Sequence, residues 1–159
     1  MGPPWKPRGP RNRRLRRATC AICPQVWHPP SGSIRMVDAA ALTLSQALAA
    51  LRGGTLDAQG LTAACLTSIE ERDSRINAFV HVDARAALSQ ARGLDQARAR
   101  GAAMGPLFGI PVAIKDIIDI SGQPTLCHSA VAERVPAQKD AQVVARLRAA
   151  GAVIIGKTA

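Results

Sequence analysis

The sequence predicts an α/β fold in which N-terminal helices precede the first strands of a mixed sheet, and two observations carry that prediction. Residues 43–100 contain segments with helical apolar spacing, each with its own start and stop signals. From Gly105 the texture changes to a short apolar strand, a helix and a continuous apolar run, the order of a strand, a crossover helix and a buried strand. With 159 residues, 47% of them hydrophobic, the chain has enough apolar material for one packed core.

Thr43-x-x-Gln46 has the form of a capping box, and Ala47, Leu48 and Leu51 follow at helical spacing until Gly53-Gly54 closes the segment. A second helix is expected over about Asp57 to Arg72, with a stripe of Leu61, Cys65 and Ile69 and a solvated end at Glu70, Glu71, Arg72 and Asp73. Asn77 to Val82 is too short to fix a period and reads as an extended link or edge strand. Asp83 is a good N-cap for a third, alanine-rich helix over Ala84 to Arg100, stopped by Gly101, with Ala87, Leu88, Ala91 and Leu94 inward.

The loop from Gly105 to Pro111 delivers Val112 to Ile114, a short apolar strand, into Lys115 and Asp116. Ile117 to Ile120 is expected to form a second short strand, with a turn at Gly122-Gln-Pro124. Asp140 is the expected cap of a helix over Ala141 to Ala150, with Val144 and Leu147 inward. Gly151 stops it, and Ala152 to Ile155 is the buried run.

Charge is unevenly placed. The formal net charge is +10, but residues 1–35 hold eight of the 21 Lys and Arg and none of the 11 acidic residues. From Met36 onward 13 basic residues face 11 acidic ones, which is ordinary for an enzyme domain and argues against a polyanion-binding body. The 1–35 segment also holds seven of the 11 prolines and shows no apolar period, so it reads as a basic, disordered extension outside the folded unit of residues 36–159. A start-site artefact upstream of Met36 is the preferred explanation, and an RNA-binding or targeting arm the alternative. No apolar run approaches the ~18 residues of a membrane span, and a cytoplasmic protein without a membrane partner is expected.

Cys20-x-x-Cys23 with His28 looks like half a zinc site, yet no second ligand pair follows, so no metal is expected. Cys65 reads as a reduced thiol acting as a small hydrophobe. Gly151-Ala-Val-Ile-Ile-Gly156-Lys157-Thr158 matches the phosphate-loop pattern G-x-x-x-x-G-K-[ST]. The pattern needs a strand before it, a flexible loop within it and a helix after it. Here a helix precedes Gly151, and Ala, Val, Ile and Ile between the glycines favour a buried strand. Nucleotide binding is therefore rejected, no cofactor is expected, and Lys157 reads as an ordinary strand-end residue.

The segment Gly105-Pro-Leu-Phe-Gly-Ile-Pro-Val-Ala-Ile-Lys-Asp116 resembles the amidase signature family, whose members show G-P-L-x-G-[IV]-P-[VF]-x-[VI]-K-D. Ile76-Asn-Ala-Phe79, Gly122-Gln-Pro-Thr125, Asp140-Ala141, Leu147-Arg148 and Gly156-Lys-Thr158 follow the same family order, so the resemblance covers about Leu42 to Ala159. It implies the N-terminal part of an incomplete amidase signature fold. It also implies that Lys115 is the lysine of a Ser, cis-Ser, Lys triad that hydrolyses carboxamides through an acyl-enzyme. Elementary chemistry is compatible: an ammonium at the end of an apolar strand is partly desolvated, which lowers its pKa and lets a neutral amine take a proton from a hydroxyl.

From the residues alone, snorkelling or pairing with Asp116 or Asp119 is the preferred reading of Lys115, which the twelve-residue motif reverses, while Asp116 reads as structural, accepting a hydrogen bond that orients the turn. Two departures stand out. Pro124-Thr-Leu-Cys-His128-Ser129 puts His128 where relatives commonly have glycine. None of the serines, Ser129 included, has the setting of the family's nucleophile loop, so this polypeptide is expected to be inactive alone. The resemblance implies a small-molecule amide as the full-length enzyme's partner, with a fragment of the A subunit of glutamyl-tRNA(Gln) amidotransferase as alternative. A homodimer is compatible with it; nucleic acid is not the expected partner.

Overall fold

The computed structural model describes residues 39–159. The 1–35 extension, with Cys20, Cys23 and His28, lies outside the described residues. The elements run α1 (Leu44–Gly53), α2 (Ala58–Ile76), β1 (Phe79–Val82), α3 (Ala84–Ala99), β2 (Pro111–Lys115), α4 (Gln142–Ala149) and β3 (Val153–Thr158). The strands form a sheet of order β1-β3-β2, antiparallel between β1 and β3 and parallel between β2 and β3. The expected α/β architecture with a mixed sheet is what forms, and β2, α4 and β3 make the expected crossover unit.

Local chemistry explains the helix ends. Thr43 and Gln46 form the reciprocal capping box, and Gly54 ends α1 in the left-handed conformation. Asp57 accepts from the Gly60 N–H at 2.6 Å. Asp95, reaching over from α3, accepts from the N–H groups of Ala58 and Gln59, both at 2.9 Å, so two acids satisfy the donors that have no partner within the helix at the start of α2. Burial raises the Asp95 pKa, against those two hydrogen bonds. The second helix does not stop at Arg72 but runs on to Ile76. Asp73 stays helical and uses its carboxylate to accept from Ala78 and Phe79 beyond the end, and Asn77 closes the helix at φ 55°.

The core lies on both faces of the sheet. On one, Leu51, Leu61, Ala64, Ala87 and Ala91 from the three N-terminal helices pack with Val153 and Ile155 of β3; on the other, Ile114, Ile120, Val144 and Ile154 gather under α4. Cys65 is half-buried and free, and burial raises its pKa. The alternation of Val153, Ile154 and Ile155 between the two faces is the strand period of two.

Two sequence expectations are corrected. Ile117 to Ile120 is not a strand: the chain leaves the sheet after Lys115, the Ile118 N–H donates back to the Lys115 carbonyl at 3.0 Å, and Ile120 returns to the core with Ile118 packed against its edge. Asp140 does not cap α4, whose N-cap is Ala141 with no side-chain hydrogen bond. Its carboxylate instead accepts from the Ser121 N–H at 2.8 Å and pairs with Arg148 at 2.9 Å, tying the loop after β2 to the end of α4.

Gly156 faces the backbone of β1: a Cβ there would collide with the His81 carbonyl oxygen, a backbone atom that cannot rotate away. Gly156→Ala is expected to cost about 1–3 kcal/mol through this overlap. Urea unfolding with the mutant's midpoint unchanged would refute the close approach.

Candidate active site

The residues singled out by sequence converge where β2 and β3 end side by side. Their register pairs Ile114 with Lys157 and Lys115 with Thr158. Along β2 and into the residue after it, the buried Ile114 and Asp116 alternate with the exposed Ala113 and Lys115. Lys115 therefore projects from the opposite side of the chain to Asp116, and among the described residues it makes no ion pair. The desolvation expected for Lys115 is not provided by residues 39–159, where its side chain is exposed. Lys115 does not pair with Asp116, whose carboxylate meets another cation instead.

The group that takes it is Lys157, and here the sequence expectation needs its largest correction. Lys157 is not an ordinary strand-end residue: it is 1% exposed, Asp116 is 3% exposed, and the two meet at 2.8 Å. The Lys157 ammonium also donates to the Pro124 carbonyl at 2.9 Å and to Thr125 Oγ1 at 2.8 Å, so all three of its N–H donors have acceptors. A slip in register between Val112 and Ala113 brings it there. Strict alternation from Val153 and Ile155 would send Lys157 to the face of the N-terminal helices. The extra β3 residue opposite β2 turns it to the side of Ile114 and Asp116.

Asp116 is held on every side. Its N–H donates to the Thr158 carbonyl at 2.8 Å, its carbonyl accepts from the Cys127 N–H at 3.0 Å, and Oδ1 accepts weakly from the Leu126 N–H at 3.5 Å. Burial alone would push its pKa up, but the Lys157 hydrogen bond and charge, with the N–H groups of Leu126 and His128, hold it below the ordinary carboxylate range. Its expected structural role, accepting a hydrogen bond that orients the turn, is what the geometry shows.

That wrapping explains the loop's backbone. Cys127 and His128 both adopt left-handed conformations, φ 50° and 57°, so the position where relatives commonly have glycine does require positive φ. A non-glycine residue there costs about 1–2 kcal/mol, partly offset by the ~0.5–1 kcal/mol of chain entropy that glycine loses. His128→Gly should therefore stabilise the fold by roughly 0.5–1 kcal/mol, raising the thermal midpoint; a lower midpoint would contradict the strain. Ser129 is exposed, with Oγ accepting from the Val131 N–H at 3.3 Å.

The residues of the phosphate-loop pattern have other roles. Gly151, at φ 90°, ends the α4 connection, and Val153–Thr158 is the buried strand β3, which leaves no loop to surround an anion. Among the described residues no group of three or more His, Cys, Asp and Glu could hold a metal ion, and no helix is long and apolar enough to cross a membrane.

With this geometry in place, comparison with known proteins is decisive. The model of the Amidase family matches residues 60–159. The chain belongs to the amidase family. It is 44% identical over 123 residues to the A subunit of the glutamyl-tRNA(Gln) amidotransferase of Streptomyces coelicolor, covering 77% of this chain and 25% of that protein. It is 47% identical over 116 residues to the same subunit of Roseiflexus castenholzii, covering 73% and 24%. Among solved structures, the peptide amidase of Stenotrophomonas maltophilia superposes with a TM-score of 0.70 at 34% identity, over 77% of this chain and 25% of that one. An amidase family protein of Bacillus anthracis gives 0.68 at 29% identity, over 77% and 25%. The chain thus spans about a quarter of the length of the curated relatives it matches.

Proposed function

We propose that this chain is the lysine-bearing part of an amidase that hydrolyses carboxamide C–N bonds, with Lys115 as its base. The observation that carries the reading is the placement of Lys115: it ends β2, exposed and unpaired among the described residues, while its neighbour Asp116 is locked to Lys157. Strand ends of α/β sheets are where reacting groups are commonly displayed.

On the family resemblance, a serine hydroxyl attacks the amide carbon, and its proton passes through the bridging serine to the neutral Lys115 amine. The proton then returns to the departing nitrogen as the C–N bond breaks, leaving an acyl ester that water cleaves. Both serines belong to parts of the fold beyond residues 39–159. Desolvation of Lys115, which residues 39–159 do not supply, would come from those same parts. A cytoplasmic location accompanies this reading, supported by the free thiols Cys65 and Cys127.

A second reading, that the chain is part of an amidotransferase of the glutamyl-tRNA(Gln) type, is favoured by its 44–47% identity to the A subunits of such enzymes. Both are tested by a hybrid in which this chain replaces the corresponding quarter of the Stenotrophomonas maltophilia peptide amidase. Hydrolysis of a peptide amide by the hybrid supports the amidase reading. A folded hybrid without hydrolysis contradicts it. Activity restored only in a hybrid with the amidotransferase polypeptide, assayed with its companion subunits, supports the second.

A further inference from the structure

We infer that the buried Asp116–Lys157 pair is a positioning device for Lys115, which sets the catalytic amine from the opposite side of the strand; this rests on the role proposed for Lys115. Two facts make stability an insufficient reason for the pair. Burying two charges costs several kcal/mol of desolvation per ion, and well-packed apolar residues commonly do as well or better. The pair also bonds to nothing in the hydrophobic clusters. Every group it engages belongs to the segments around Lys115: β3 through Lys157, the loop through Pro124, Thr125 and Leu126, and the chain just after β2 through Asp116 itself.

The geometry shows how position is transmitted. Lys115 lies one peptide unit from Asp116, whose N–H is fixed to Thr158 at 2.8 Å and whose carbonyl is fixed by Cys127 at 3.0 Å. The Lys115 carbonyl in turn accepts from Ile118 at 3.0 Å. With its side chain tied to Lys157 as well, Asp116 cannot rotate or shift without breaking a buried ion pair. The Cα–Cβ direction of Lys115 is thereby held, although its own side chain makes no ion pair with any of these groups. A buried ionic contact is directional where an apolar one is not, and a shift of about 1 Å at a reacting group is worth roughly a hundredfold in rate.

The test uses the active peptide amidase hybrid and compares Asp116→Asn, Asp116→Glu and Lys157→Met with the parent. Positioning predicts that Asp116→Asn, which keeps size and an acceptor, lowers kcat tenfold or more with KM within twofold, and that Asp116→Glu, which keeps the charge, recovers at least a third of kcat. If Asp116→Asn does not fold, Lys157→Met carries the same expectation for kcat and KM. A kcat within twofold of the parent in whichever of these two folds overturns the inference, and so does loss of fold in both, which would make the pair purely structural. Lys115→Ala in the same hybrid separates the two claims. If it abolishes turnover while Asp116→Asn does not change it, the positioning role fails and the amidase reading stands; if it leaves turnover intact, the amidase reading itself fails.

Discussion

Asp116→Ala is expected to destabilise the fold by about 3–5 kcal/mol, the cost of leaving a buried charge without its partner. Lys157, 1% exposed, would keep two neutral acceptors, Pro124 and Thr125, and lose the only anion among its hydrogen-bond partners. Against a typical domain stability of about 5–15 kcal/mol that loss is large enough to show as partial unfolding at neutral pH. Urea unfolding followed by circular dichroism measures it; a midpoint unchanged from the parent would show that Lys157 tolerates the loss of its anion.

Acid should act in the same way. Because the folded carboxyl of Asp116 titrates below its unfolded value of about 3.9, the unfolded chain binds the proton first as pH falls. The stability from this group is complete above about pH 4 and is lost as pH drops through the folded pKa below that. The Asp116→Ala chain lacks this contribution, so the difference in stability between parent and mutant should shrink under acid conditions.

The second large effect concerns rate. In a hybrid amidase carrying this chain, Lys115→Ala should lower kcat by roughly a hundred- to ten-thousand-fold, the range that general acid–base groups supply. Stability should hardly move, since the exposed Lys115 makes no ion pair among the described residues. Lys115→Arg should be as inactive as the alanine variant. A guanidinium keeps the positive charge and the hydrogen-bond donors but cannot be deprotonated, so it cannot take the serine's proton.

The helices and the crossover unit were legible in the sequence because their signals are local: Thr43 with Gln46, Asp57, Asp83 and the apolar spacing between them fix each start without tertiary help. The buried run at Val153 to Ile155 announced β3, and its position after a helix was enough to dismiss the phosphate-loop pattern. Lys157 was not legible. Its burial depends on a register slip opposite Val112 and Ala113 and on a carboxylate about 40 residues away, neither of which leaves a trace in local periodicity.

Ile117 to Ile120 misled for a related reason: its composition favours a strand, but the turn locked by Asp116 leaves it no neighbour to pair with. Asp140 looked like a cap because caps are usually local, and it was claimed instead by Ser121 and Arg148. One signal could have pointed to the site more fully. An aspartate directly after Lys115 and a lysine near the end of the next strand are opposite charges at two strand ends, and parallel pairing of Ile114 with Lys157 leaves them only two positions apart.

The central claim, that Lys115 supplies a proton acceptor, is tested most directly by single-turnover acylation of the peptide amidase hybrid, with parent, Lys115→Ala and Lys115→Arg forms compared at the same pH. Both variants are predicted to acylate at least a hundredfold more slowly than the parent while melting within a few degrees of it. An arginine variant that acylates within tenfold of the parent would contradict the claim, because a permanently protonated side chain would then be filling the role assigned to a neutral amine.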